Sequence, residues 1–295
     1  MKRKVIKQGA STLTTSLPAS WVKEQKLCHG DEIEIDQVYD KLIIAKSKEK
    51  GIPTLTFSQF NKTFIKNSII TFYCKGYDKL RIVFTDRQVE NCIMETINNY
   101  LIGFDIVEKE KGVCLLENIT EPEADQFEAI FKKLFFNLSL LISTTEQRLK
   151  TQQQDIAYKD IAIRFQQYEN LCKRIIAKRN PLGENTLFFW GVLNYLVQAA
   201  KEIQLLNRFL DKNKVHNNTQ LFSRLKMYHH LLEDAYLHKD PKKILALHLY
   251  HQKHVRALDF DKIFKLKEKD SVVQYHTLVA IRNLYLASNA LLGMI

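Results

Sequence analysis

From Thr120 onward the apolar residues recur with a period near 3.6, and before it they do not. Phe127, Ile130, Phe131, Leu134, Phe135, Leu138, Leu141 and Ile142 repeat at i, i+3, i+4, which makes a broad apolar stripe on one helix face. Thr120-Glu121-Pro122-Glu123 ahead of it is a capping-box pattern. Five further helices are predicted over 152–178, 184–212, 219–238, 241–265 and 271–292. The breaks between them are short, which favours antiparallel neighbours. Residues 120–295 therefore read as an all-α six-helix bundle.

The preceding stretch, 57–118, has a different rhythm. A helical run over 58–73 leads to the strand Leu80-Arg81-Ile82-Val83-Phe84. Asp86 caps a helix over 87–100, whose Val89, Ile93, Ile97 and Leu101 fall near helical spacing. Strands over 104–108 and 113–117 form a hairpin around Lys111-Gly112. The order α-β-α-β-β predicts a small antiparallel sheet with helices on one face, a spacer or assembly domain. Ser47-Lys48-Glu49-Lys50-Gly51-Ile52-Pro53 carries a charge run and a Gly/Pro pair, so 47–56 reads as a linker.

Residues 1–47 alternate instead. Ser11, Leu13, Thr15 and Leu17 alternate with Thr12, Thr14 and Ser16, which predicts a strand with one partly apolar face. Pro18 ends that strand and starts a short helix over 19–25. Gly30-Asp31 turns the chain into two strand-like runs, 32–36 and 41–46, joined at Tyr39-Asp40. Ile33 and Ile35 face one side; Glu32, Glu34 and Asp36 face the other. A unit this small rarely buries a core alone, because domains below about 40 residues usually need a staple or a partner. It has one cysteine and no metal-ligand spacing, so dimerisation is the expected source of its core.

Charge sharpens this picture. Four of the first seven residues are cationic, and no acid occurs before Glu24. The net charge of +11 divides as +3 over 1–50, zero over 51–119 and +8 over 120–295. The excess before Gly9 suits contact with a phosphate backbone. Diffuse basicity in the helical part argues only weakly for nucleic acid. Cys28, Cys74, Cys92, Cys114 and Cys172 are odd in number, widely spaced and without a CxxC pair. They read as free thiols of a reducing, cytoplasmic protein. No signal peptide precedes the basic start, and the most apolar runs are too short or interrupted to span a membrane.

The first segment resembles the SpoVT/AbrB (MazE-like) swapped-hairpin domain. The matching residues are Gly9, the Ser/Thr-rich strand ending in Leu17-Pro18, the Trp21-Val22 helix and Gly30-Asp31-Glu32-Ile33-Glu34-Ile35. The resemblance covers about a sixth of the chain. It implies two chains interlaced into one small β-barrel whose basic loops lie on DNA. Such a head joined through a small α/β segment to a helical bundle resembles the archaeal PhoU-type phosphate uptake regulators. The residues that carry this second resemblance are the 121–141 helix, Asn170-Leu171-Cys172-Lys173-Arg174, and the end around Tyr275-His276-Thr277-Leu278-Val279 with Leu284-Tyr285-Leu286. The expected fold is thus α+β and multidomain: 1–47 a SpoVT/AbrB-like head, 57–118 a small α/β domain, 120–295 a PhoU-like helical bundle.

The candidate chemistry follows. Lys2, Arg3, Lys4 and Lys7 are expected to contact DNA phosphates. Thr12 and Thr14 would add hydroxyls, with Lys23 or Lys26 as outer contacts. PhoU bundles carry Glu/Asp-x-x-x-Asp pairs that hold metal, and here Val197 and Lys201 stand where the acids would be. Glu121 and Asp125 fit the spacing, but acids opening a helix complement its dipole without a metal. His248, His251 and His254 recur every three residues and drift about 60° apart around a helix, so surface or core-edge positions are the expected outcome. His229 and His230 are adjacent and face apart. There is no nucleophile elbow, Walker loop or HExxH motif, so no enzyme and no cofactor are expected. The expected partners are double-stranded DNA and a second copy of the chain, with a phosphate-transport or signalling protein as a further candidate. The competing reading is an interaction protein whose head only dimerises.

Overall fold

The computed structural model describes residues 2–38, 41–46, 51–122, 126–152, 157–215, 220–254 and 268–295. The chain divides into two compact units, Met1–Gly51 and Ile52–Ile295. Both are mixed or helical as the residue patterns require, and the whole is an α+β chain with small sheets and a helical C-terminal region.

The first unit contains β1 (Ile6–Gln8), β2 (Thr12–Thr14), α1 (Ala19–Glu24), β3 (Ile33–Val38) and β4 (Lys41–Lys46). β1 pairs with β2, and β3 with β4, both antiparallel. The result is two separate two-stranded ladders, with no closed barrel among the described residues. The strand expected over 11–17 is paired over only three of its residues. Pro18, with no N–H to donate, sits where α1 begins.

The second unit opens with β5 (Thr54–Phe57), α2 (Lys62–Cys74), β6 (Lys79–Phe84), α3 (Arg87–Tyr100), β7 (Phe104–Glu110) and β8 (Val113–Asn118). The sheet order is β5-β6-β8-β7; β5 runs parallel to β6, and the other pairs are antiparallel. β5 lies in the stretch read as linker, so the sheet has a fourth strand and is not purely antiparallel. Its side chains alternate: Phe57 is buried and Leu55 half-buried, with Thr54 and Thr56 exposed. Register sets Leu55 beside Ile82, and Ile82 beside Cys114, all on one face. That face meets Ile65, Ile69 and Tyr73 of α2 and Val89, Ile93 and Ile97 of α3. Asn61, not Ser58, starts α2: its Oδ1 accepts from Phe64 N at 3.0 Å. Such a cap contributes about 1 kcal/mol.

Six long helices follow among the described residues: α4 (Phe127–Thr151), α5 (Ala157–Arg179), α6 (Thr186–Leu210), α7 (Gln220–His238), α8 (Pro241–His254) and α9 (Glu268–Leu291). The apolar stripe of α4 is buried throughout, and Phe131 lies within 5.4 Å, centroid to centroid, of the Phe135, Phe189 and Tyr236 rings. No described helix is long and apolar enough to cross a membrane. The expected extension of the fifth helix to 265 runs beyond His254 into residues outside those described.

The helices also hold the sheet layer. α2 and α3 both pack on α5. Arg174 of α5 is fully buried and donates from Nη1 to the carbonyls of Tyr73 and Tyr77. Its Nη2 reaches Asp78 Oδ1 at 2.5 Å, and its guanidinium lies about 5 Å from the Tyr73 and Phe104 rings. Lys178 bridges Asp78 and Glu121 at 2.7 and 2.6 Å. Burial raises the Asp78 carboxyl, but the Lys178 and Arg174 cations outweigh it and hold it below its ordinary value.

Candidate nucleic-acid interface

Gly9, at φ +75°, lets the chain turn from β1 into β2. The register then pairs Ile6 with Thr14, Lys7 with Leu13 and Gln8 with Thr12. Residues directly opposite share a face, so Lys7 and Leu13 lie on one side, and Thr12, Thr14, Ile6 and Gln8 on the other. The hairpin therefore separates Lys7 from the two threonines that the sequence grouped with it. Thr14 also uses its hydroxyl within the hairpin, donating to the Ile6 carbonyl at 3.3 Å.

Lys2, Arg3 and Lys4 precede β1. They and Lys7 are exposed, as is Lys23 in the last turn of α1. None of these five cations forms an ion pair with a described carboxylate. Lys46 behaves differently: its ammonium lies 3.5 Å from Asp31 and donates to the carbonyls of Gln25 and Lys26, tying β4 to the end of α1. The Asp31 carboxyl is held below its ordinary value, first by the Cys28 N–H and also by Lys46, against a smaller effect of burial.

The described apolar side chains of this unit are at most partly covered. No described side chain in it is buried. Register places Ile33, Ile35, Leu42 and Ile44 on one face of the β3–β4 ladder. Ile35 is 56% and Leu42 66% exposed, and Leu13 on the other ladder is 69% exposed. Each strand also leaves one edge unpaired, and an isolated two-stranded ladder is marginal in water.

The other candidate residues fall as follows. Glu121 is bound by Lys178 and does not cap α4, and Asp125 lies outside the described residues. Val197 is buried, whereas Lys201 is exposed. His251 stacks on Tyr285 at 3.6 Å and bonds the Tyr228 hydroxyl at 2.8 Å, while His248 lies 3.3 Å from Ser288 Oγ. His254 packs on the Tyr250 ring. No group of three or more His, Cys, Asp or Glu side chains is placed to hold a metal ion among the described residues. His229 is buried and His230 exposed. The segment Asn170–Arg174, singled out by resemblance alone, is where α5 meets the sheet layer: Asn170 Nδ2 donates to the Tyr100 carbonyl at 3.0 Å. Nothing in local spacing marks that role. All five cysteines are unpaired.

Searches of family models, curated proteins and solved structures find no match to this chain.

Proposed function

We propose that this chain is a dimeric DNA-binding transcriptional regulator. One observation carries the reading: four exposed cations with no ion pair to a described carboxylate stand at the start of a unit in which no described side chain is buried. A second copy laid on the Ile33/Ile35/Leu42/Ile44 face supplies the missing core, and it presents Lys2, Arg3, Lys4 and Lys7 twice. This arrangement is the one that resemblance to the swapped-hairpin family implies. The helical region then acts as a sensor or partner domain, by resemblance one linked to phosphate uptake.

Lysine and arginine reach phosphates as charges, and arginine can also fork onto guanine. Lys7 lies on the hairpin face opposite Thr12 and Thr14, whose hydroxyls add at most weak contacts. The test is a salt titration of duplex binding by the full chain. If all eight cations of a dimer engage phosphates, log affinity against log salt has a slope of about −7, from about −0.9 per contact. The triple variant Lys2→Ala/Lys4→Ala/Lys7→Ala weakens binding to all duplexes alike and flattens the slope. Thr12→Ala and Thr14→Ala leave both unchanged. An unchanged slope in the triple variant instead makes the head a dimerisation module of an interaction protein, the reading its uncovered apolar face also supports.

A further inference from the structure

Four helices of the second unit converge on a cleft of about 410 Å³. α2 contributes Lys66, α3 ends there in Tyr100, α5 begins there with Tyr158 and Lys159, and α6 brings Arg208. Asp211, just after α6, closes the lining. That volume is at the small-molecule end of the range of ligand sites, about 300–1,000 Å³.

Among the described residues, the cleft lining holds three cations and one carboxylate. Asp211 is already engaged: Arg148 Nη2 donates to its Oδ1 at 2.7 Å, and the Tyr158 hydroxyl donates to its Oδ2 at 2.6 Å. Arg148 is itself buried and also donates to the Asn207 side chain at 2.7 Å. Burial and the bond to Asp211 push the Tyr158 phenol up to about 12, so it stays a donor. Lys66, Lys159 and Arg208 are left with no ion pair to a described carboxylate.

Aromatic rings fix two of these cations. Lys66 Nζ lies 4.8 Å from the Tyr100 ring centroid, and Lys159 Nζ 5.9 Å from that of Tyr158. The Arg208 charge acts on both tyrosines. Convergent like charges repel, and an anion between them relieves that repulsion. Gln166 and Gln204 add amide donors to the same wall.

We propose that this cleft binds a small phosphate-bearing anion, with Lys66, Lys159 and Arg208 as its ligands. Two lysines supply point charges, and the arginine supplies a planar fork suited to phosphoryl oxygens. A single phosphate ester brings about −1.5 to −2 charges at neutral pH, so three cations with no ion pair to a described carboxylate favour a ligand with more than one phosphoryl group. The site lies wholly within the second unit, and the inference stands or falls independently of DNA binding.

The test is titration calorimetry of the full chain with inorganic pyrophosphate, orthophosphate and citrate as separate probes. Pyrophosphate is expected to bind most tightly. Arg208→Gln weakens it by about tenfold or more, and Lys66→Gln/Arg208→Gln abolishes it. Arg208→Lys restores part of the loss. Lys132→Gln, an exposed cation on α4, and Lys2→Ala/Lys4→Ala in the head leave it unchanged. Citrate binding as tightly as pyrophosphate overturns the phosphate class. No binding of any probe, equal weakening by Lys132→Gln, or loss on the head variant rather than the cleft variants overturns the site.

Discussion

Arg174 Nη1 donates to the Tyr77 carbonyl at 2.7 Å, so a helix of the C-terminal region closes the turn between α2 and β6. The same guanidinium reaches Tyr73 O and Asp78, so one side chain ties the two layers at three acceptors. Arg174→Ala removes the buried guanidinium that the Tyr73 and Tyr77 carbonyls and the Asp78 carboxylate share. Removing one partner of a buried charged network costs about 3–5 kcal/mol. Chemical denaturation should show a loss of that size. Arg174→Lys should not rescue it, because an ammonium cannot serve all three acceptors from one fork. Asp78→Asn should cost about 1 kcal/mol or less, since the Asp78 side chain is half exposed.

His229 makes stability depend on pH. It is buried, and its Nε2 lies 2.9 Å from the Phe135 carbonyl of α4, a bond that fixes the neutral ring as donor. Burial pushes its pKa down to about 4, only partly opposed by that carbonyl; the neighbouring His230 adds to the depression. Glu233 is the carboxylate facing Nδ1, at 3.8 Å. Above about pH 6.5 the ring is neutral in both folded and unfolded chains. Below it the unfolded chain takes up a proton that the folded chain refuses. The contribution is therefore intact above pH 6.5, falls between there and about 4, and is constant below. At pH 5 the loss is about 2 kcal/mol relative to pH 7. His229→Gln keeps a donor for Phe135 and removes the titration. Denaturant midpoints at the two pH values should converge in that variant by the corresponding amount.

Gly103 turns the chain from α3 into β7 at φ +83°, and a Cβ there would stand 1.9 Å from the Thr120 carbonyl oxygen. Its own carbonyl accepts from Ile119 N at 2.7 Å. Gly103→Ala combines a left-handed backbone with a backbone clash, so a loss above about 2 kcal/mol is expected. Gly9 shares the left-handed φ but has open space around it. Gly9→Ala should cost about 1 kcal/mol, all of it conformational. Thermal melts of the two variants separate the clash from the dihedral cost.

Leu42 is 66% exposed on the ladder face that a second copy is proposed to cover. Leu42→Glu puts a charge at the centre of that interface and should shift the full chain from dimer to monomer in sedimentation at micromolar concentration. Hydrogen exchange over residues 5–46 should accelerate with it. A parent chain already monomeric, with those residues protected, contradicts the dimer.

The elements with a strong local period were legible. Val89, Ile93 and Ile97 marked α3 to the residue, and the phenylalanine stripe marked α4. β5 was missed because Gly51 and Pro53 look like a boundary, although Leu55 and Phe57 already alternate with threonines. The separation of Lys7 from Thr12 and Thr14 needs a register, and no single strand contains one. Arg174 reads as one polar residue in a helix; its acceptors lie 96 to 101 positions away. The cleft is built from the ends of three helices and the middle of a fourth, so its cations never stand together in the sequence.

That separation has a consequence in time. A chain emerging residue by residue completes the α2–β6 turn about a hundred residues before Arg174 exists to fill it. Until α5 is made, that turn lacks the Arg174 guanidinium, and one flank of α2 and α3 stays wet. Contacts so distant along the chain close slowly, because a long loop must be ordered first. The sheet layer is therefore expected to mature late, under the guidance of a helix that follows it, and a nascent chain stopped before residue 174 should hold it only loosely.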